Sequence, residues 1–189
     1  MKINKPLVIS LLLTILVSAL YRILPNRPMG FAPQLAIGLF SGALFVKNKK
    51  WAFALPLLSM FISDLLYQFL YNNGMSSIRG FYDGQWINYL LFAGVTCFGF
   101  LIRKNKISNI FAATLAAPTS YFLISNFLVW FSNRGFGLNR PQTFNGLLLT
   151  YIDGLPFFWN SVMATVIFSA VLFGTYYLAQ NFFSKKQLA

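Results

Sequence analysis

The sequence has no histidine, one cysteine and only three acidic residues. Without histidine there is no imidazole metal ligand, no Ser-His catalytic pair and no histidine proton shuttle. The single cysteine, Cys97, permits no intramolecular disulfide. Charged residues make up 10% of the 189 residues, against roughly a quarter in an ordinary soluble domain. These scarcities exclude a soluble globular protein and several kinds of catalytic site.

Apolar residues are abundant instead. They make up 57% of the chain, 22 of them are Phe, and the mean hydropathy is +0.63. Stretches near the length of a membrane span, about 17 to 25 residues, predict an all-α polytopic membrane protein: one transmembrane domain, residues 1–189, with six transmembrane helices. The second span is short, so we expect it to be tilted or shielded by neighbouring helices. The predicted spans are 6–24, 31–46, 51–70, 86–102, 107–131 and 155–180.

The distribution of Lys and Arg predicts the orientation, because cytoplasmic loops carry the excess of these residues. With six spans, one side holds ten cations and the other holds five, together with Asp83 and Asp153. Both termini are therefore predicted to be cytoplasmic, in a bacterial cytoplasmic membrane. The net charge of +12 lies in loops, so it predicts the lipid bilayer and not nucleic acid as a partner. The ten are Lys2, Lys5, Lys47, Lys49, Lys50, Arg103, Lys104, Lys106, Lys185 and Lys186; the five are Arg22, Arg27, Arg79, Arg134 and Arg140.

Two segments have alternative interpretations. The first span would also suit a signal peptide, with residues 17–19 as its cleavage site, although a retained helix is favoured. Residues 143–152, in the predicted external connection 132–154, are apolar enough to form a short helix. This helix would either lie at the membrane interface or fold back as a lid, with Gly135, Gly137 and Gly154 as hinges.

Strongly polar side chains fall at one depth near the predicted external face. Asp64 lies about 20 Å along its span from Trp51, and it is the one ionisable residue well inside a span. An ionisable group in the hydrocarbon costs several kcal/mol unless it faces the bundle interior or water, which makes it a functional candidate. The candidate substrate-binding residues are Asp64, Asn126, Asn160 and Gln34, with Tyr67 and Trp130 on the same helix faces as Asp64 and Asn126.

Each of these candidates also has a structural interpretation. Asn side chains commonly link membrane helices through hydrogen bonds of about 1 kcal/mol, and Asp64 would be accommodated either by protonation or by pairing with Arg22 or Arg27. Two further patterns are typical of helix packing, with the docking of a partner protein as the alternative. They are the GxxxG match from Gly38 to Gly42 and the small-residue stripe of Ser10, Thr14 and Ser18.

Four segments carry a resemblance to a known family. Residues 31–45 (FAPQLAIGLFSGALF), 55–64 (LPLLSMFISD), 125–130 (SNFLVW) and 156–160 (PFFWN) resemble a bacterial family of uncharacterised six-helix membrane proteins. That family looks like the substrate-binding S components of energy-coupling-factor (ECF) vitamin transporters. The resemblance implies an outward cavity formed mainly by helices four to six, and ECF transmembrane and ATPase subunits as partners. S components typically present an Ala-xxx-Ala surface on the first helix, whereas this chain has the Ser10, Thr14 and Ser18 stripe, so a solitary transporter is the alternative.

The leading functional hypothesis is the binding and uptake of a small, vitamin-like or cofactor-precursor-like molecule. The alternative is a non-catalytic membrane scaffold or accessory subunit. An enzyme is not expected, since the spans hold no aspartate pair, Ser-His dyad or zinc motif, and every Lys is predicted at the cytoplasmic side. No catalytic residue, metal site or cofactor is predicted.

Overall fold

The computed structural model describes the backbone of residues 5–102, 106–132 and 140–186, and the side chains of residues 11–102, 106–132 and 140–180. Lys2, Arg103, Lys104, Arg134, Gly135 and Gly137 lie outside the described residues. In the described part of the chain there are six α-helices and no strand, so the predicted all-α class is confirmed. The helices are α1 Lys5–Arg22, α2 Gln34–Leu44, α3 Lys49–Asn72, α4 Gln85–Phe100, α5 Ile107–Ser132 and α6 Phe144–Lys186.

Helix α2 is the centre of the bundle. Its 11 residues span about 16 Å, about half the thickness of a bilayer's hydrocarbon core. It is packed against α3, α4, α5 and α6, and eight of its residues are buried. The expectation that neighbouring helices shield the short second segment is therefore confirmed.

Glycines set how closely α2 and α4 approach each other. A Cβ at Gly42 would lie 2.9 Å from the Cα of Gly99 and would also meet the backbone of Thr96. A Cβ at Gly38 would lie 3.3 Å from the side chain of Val95. The Gly38 to Gly42 pattern is therefore a packing face inside this molecule, as the first interpretation expected.

Helix α1 packs on α3 through small polar and apolar residues. The hydroxyls of Ser18 and Ser59 are hydrogen-bonded at 2.5 Å, and Ile15 belongs to a buried cluster with Ala52 and Leu55. At Ser18, the small-residue face of α1 is therefore turned toward α3.

Helices α5 and α6 form a long antiparallel pair. Helix α6 has 43 residues, about 64 Å at 1.5 Å per residue, and it begins at Phe144, 11 residues before the predicted start at 155. Residues 144–152 are helical, as predicted, but they continue directly into α6 and do not form a separate lid. Gly154 is no hinge, because it lies inside the helix where a Cβ would come within 2.6 Å of Asn126 Oδ1.

The bundle has two chemically different ends. The upper end, as we call it, holds residues 23–33, 73–84 and 140–143 and all three acidic residues. The lower end holds residues 45–48, Ile102, Lys106 and the last turns of α6. Large apolar side chains such as Val17, Phe69 and Phe131 are exposed along the helices between these ends.

Three of the described helices are long and apolar enough to cross a membrane: Lys49–Asn72, Ile107–Ser132 and Phe144–Gln180. The described part of α1 and the whole of α2 are apolar but shorter. The chain therefore has the helices of a membrane protein, while crossing by all six stays a prediction.

Candidate functional site

A cavity of about 500 Å³ opens at the upper end. Its wall is polar near the loops and aromatic or aliphatic between the helices, and every helix except α3 contributes to it. We call it the upper cavity. Its lining includes Arg22 at the end of α1, Arg27 and Gly30 in the first loop, Gln34 and Leu35 of α2, Tyr82 and Asp83 of the 73–84 loop, Asn88 and Phe92 of α4, Tyr121 and Ser125 of α5, and Phe157 and Ser161 of α6.

Gln34 has a buried polar atom that the described residues leave unsatisfied. Its side chain is 2% exposed, and its Nε2 donates to the carbonyl oxygen of Ser18 at 3.4 Å. Its Oε1 has no hydrogen-bond partner in the described part of the chain. A buried amide oxygen without a donor costs about 1 to 3 kcal/mol, so Oε1 is an acceptor that the described residues leave unsatisfied.

Asp64 lies behind the cavity wall, at the junction of three helices. It is 1% exposed, and its Oδ1 pairs with Arg22 Nη1. Its Oδ2 accepts hydrogen bonds from Gln85 Nε2 at 2.5 Å and from the Tyr89 hydroxyl at 2.7 Å. The carboxylate therefore joins α1, α3 and α4. The structural alternative, pairing with Arg22, is the arrangement that the structure shows.

Arg22 connects this junction to the cavity, because its side chain pairs with Asp64 and also lines the cavity wall. Its Nη1 also donates to Ser63 Oγ at 2.5 Å, and Tyr67 donates to its backbone carbonyl at 2.6 Å. Within the described residues, its Nε and Nη2 atoms make no hydrogen bond. Since the side chain is 23% exposed and lines the cavity, this free edge of the guanidinium is available to an acceptor on a ligand.

The loop of residues 23–33 is fastened over the cavity. Arg27 Nη1 donates to the carbonyl of Phe31 at 2.6 Å. Asn160 Nδ2 donates to the carbonyl of Met29 at 2.8 Å, and Ser161 Oγ donates to that of Gly30 at 3.0 Å. The predicted site residue Asn160 thus attaches this loop to α6.

Asn126 and Trp130 make contacts along the α5 and α6 pair. Asn126 Nδ2 donates to the carbonyl of Phe122 in its own helix at 2.9 Å, and its Oδ1 lies against Gly154. Trp130 Nε1 donates to the carbonyl of Pro141 at 2.9 Å. Neither is among the residues that line the upper cavity.

The six predicted site residues therefore fall into three groups. Gln34 lines the cavity, Asp64 and Tyr67 hold Arg22 in its wall, and Asn126, Asn160 and Trp130 connect α5, α6 and the loops. That any of them contacts a substrate stays a prediction. Arg22 and Arg27 were predicted from the sequence as loop cations and as pairing partners of Asp64, but not as residues of a ligand site. No sequence signal singled out the other polar lining residues, Tyr82, Asn88, Tyr121, Ser125 and Ser161.

Polar lining groups connect α4, α5 and the 73–84 loop. The Tyr121 hydroxyl donates to Asn88 Oδ1 at 3.3 Å, and Asn88 Nδ2 donates to the Tyr82 hydroxyl. Burial raises the pKa of the Tyr82 phenol above its ordinary value of 10.0, and the Asp64 carboxylate raises it further. The phenol is therefore neutral at physiological pH and able to donate a hydrogen bond. Within the described residues, no group of three His, Cys, Asp or Glu side chains is placed to hold a metal ion.

Comparison with known protein families places the chain in a family. Residues 2–187 match a family model described as a family of unknown function, DUF6580. No curated protein matches the chain, and no solved structure matches it.

Proposed function

The chain belongs to this family of unknown function, and we propose that it binds a small molecule in the upper cavity and carries it across the bacterial cytoplasmic membrane into the cell. The observation that carries the proposal is Gln34, which lines a cavity of about 500 Å³ and whose buried Oε1 has no donor among the described residues. Pockets for small ligands measure about 300 to 1,000 Å³ and combine apolar walls with a few placed polar groups. The upper cavity has this size and composition.

The polar groups favour a ligand with both donor and acceptor atoms. Gln34 Oε1 would accept a hydrogen bond from a donor on the ligand. The Nε and Nη2 atoms of Arg22 would donate to an acceptor on the ligand, such as a carboxylate or a carbonyl. Phe92, Tyr121 and Phe157 supply aromatic surface between these groups. A compact, partly aromatic molecule of the size of a vitamin or cofactor precursor fits this description.

The membrane arrangement belongs to the same proposal. Six membrane-inserted helices with both termini in the cytoplasm place the Lys-rich lower end inside and the upper cavity outside. Helix α2 would lie in the membrane without meeting much lipid, because its neighbours enclose it. An outward cavity capped by external loops is the arrangement implied by the likeness to ECF S components.

A solitary transporter is the form that we favour over an ECF complex. S components present their Ala-xxx-Ala surface on the first helix, where this chain has the stripe of Ser10, Thr14 and Ser18. Within this stripe, Ser18 is hydrogen-bonded to Ser59 of α3. That part of α1 is therefore not available to a coupling partner. The scaffold alternative would use the Gly38 to Gly42 pattern to dock a partner protein. It is weakened because Gly38 and Gly42 pack inside the molecule against α4.

Mass spectrometry of small molecules released from detergent-purified protein tests the proposal. We expect one compound near equimolar ratio in the wild type and a roughly 10-fold to 100-fold weaker retention in Gln34→Leu, the effect of losing a hydrogen bond to a buried polar group. Gln180→Leu is the matched control, since Gln180 is exposed near the lower end of α6 and should retain the compound.

Two results would contradict the proposal. One is a wild-type protein that releases nothing besides lipid and detergent. The other is a folded Gln34→Leu protein that keeps the compound as firmly as the wild type. Once the compound is identified, its labelled form should accumulate in proteoliposomes containing the wild type and not in those containing Gln34→Leu.

A further inference from the structure

A second opening lies toward the lower end, between the first turns of α5 and residues 166–177 of α6. We call it the lower groove. It has a volume of about 580 Å³, and its walls are mainly apolar, with Ile110, Phe111 and Phe173 among the lining residues. Lys106 stands at its lower rim, and Ser169 and Gly174 line it on α6. An apolar groove with a cation at its rim matches the form of an anionic amphiphile.

The described residues at this end include no acidic partner for its charge. The Lys106 side chain makes no ion pair or hydrogen bond with the described residues, and Lys47, Lys49 and Lys50 are exposed at the same end. All three acidic residues of the chain lie at the upper end, where Asp64 pairs with Arg22, Asp153 pairs with Arg140 and Asp83 lines the upper cavity. Within the described residues, the lower end therefore carries Lys side chains and no acidic side chain.

The groove also contains a buried hydroxyl without a partner. Ser169 is 1% exposed, and its Oγ has no hydrogen-bond partner in the described part of the chain. Thr114, across the groove, donates to the carbonyl of Phe111 at 2.8 Å. Because buried polar groups are as a rule hydrogen-bonded, we expect the Ser169 hydroxyl to donate to an acceptor atom of the molecule that occupies the groove. The ester oxygens of a glycerolipid are such acceptors, whereas a plain alkyl chain has none.

We propose that the lower groove binds one phospholipid with an anionic headgroup, drawn from the leaflet that meets the lower end of the bundle. Lys106 contacts the phosphate, the apolar walls hold an acyl chain, and Ser169 donates to an ester oxygen. A second copy of the chain is a poor occupant, because it would bring another positively charged lower end into contact with this one. This proposal is independent of any ligand in the upper cavity.

Native mass spectrometry of the full chain in a neutral detergent tests the charge requirement. Phosphatidylglycerol is added as the anionic probe and phosphatidylcholine, of the same acyl chains, as the zwitterionic control. We expect one tightly bound phosphatidylglycerol per chain, and about fivefold weaker binding in Lys106→Gln, the effect of one Lys near a membrane surface. Lys47→Gln, which removes an exposed Lys that does not line the groove, should bind as the wild type does.

A second variant tests the position of the site. A Cβ at Gly174 meets no atom within 4 Å, so Gly174→Leu should fill the groove without disturbing the fold, which its thermal unfolding will show. We expect it to lose the tightly bound phosphatidylglycerol. Equal binding of the two lipids by the wild type, or unchanged phosphatidylglycerol binding by a folded Gly174→Leu, would overturn the proposal.

Discussion

Replacing Asp64 by Asn should destabilise the bundle strongly, although Asp64 does not line the upper cavity. The carboxylate accepts hydrogen bonds from Arg22, Gln85 and Tyr89, and every one of these partners is a donor. An Asn side chain keeps one acceptor oxygen, so its amide nitrogen would face either the Arg22 guanidinium or Gln85 Nε2 and the Tyr89 hydroxyl, of which the hydroxyl can turn to accept. The change also leaves the Arg22 guanidinium without its counter-ion.

The size of the effect follows from these contacts. A lost hydrogen bond to a charged group costs about 1.5 to 3 kcal/mol, and breaking a buried ion pair costs about 3 to 5 kcal/mol. Arg22 is 23% exposed, so water reduces the second contribution. We therefore expect Asp64→Asn to lower the free energy of unfolding by about 2 to 4 kcal/mol.

Unfolding in mixed detergent and dodecyl sulfate micelles, followed by tryptophan fluorescence, provides the assay. Asp153→Asn is a matched control, because Asp153 also pairs with an arginine, Arg140, but both side chains are about one third exposed. We expect the control to change stability by less than about 1 kcal/mol. In a double-mutant cycle, Arg22→Met with Asp64→Asn should cost about 2 kcal/mol less than the sum of the single changes. If Asp64→Asn is as stable as the control, this account of the junction is wrong.

Three further changes test the packing and the cavity. Gly42→Ala should cost about 1 to 3 kcal/mol in the same unfolding assay because α2 and α4 must separate, whereas Gly94→Ala, with no atom within 4 Å of its Cβ, should be neutral or slightly stabilising. Gly30→Ala should cost at least about 1 kcal/mol, since Gly30 has φ +85° and a Cβ would lie 2.5 Å from the carbonyl oxygen of Phe157; equal stability would contradict the fastening of the loop. In ultraviolet titrations, the tyrosine transition that is lost in Tyr82→Phe should lie above pH 10 in the wild type, and a lower value would contradict the combined effect of partial desolvation and the Asp64 carboxylate on this phenol.

The helices were largely predictable from the sequence because apolar runs of membrane-span length are a strong signal. Five of the six begin and end within three residues of the predicted spans. The exception is α6, where Gly154 was interpreted as a hinge. In the structure, Gly154 instead makes room for Asn126, a contact between two helices that one-dimensional spacing does not reveal.

The site was less predictable because depth along a helix says nothing about the direction in which a side chain points. Counting residues from the span ends placed Asp64, Asn126 and Gln34 near the level of the upper cavity. It did not show that Asp64 turns toward α1 and α4, or that Asn126 turns toward Gly154. Most of these helices are apolar around much of their surface, so the pattern of apolar residues does not fix their rotation.

The central claim is that Gln34 Oε1 receives a hydrogen bond from a small molecule in the upper cavity. An experimental structure of the protein, purified under mild conditions that retain its ligand, tests this claim most directly. The account predicts density for a compact molecule in the upper cavity with a donor atom within about 3 Å of Gln34 Oε1. A cavity that holds only a lipid chain, or a Gln34 amide fully bonded to protein groups, would contradict it.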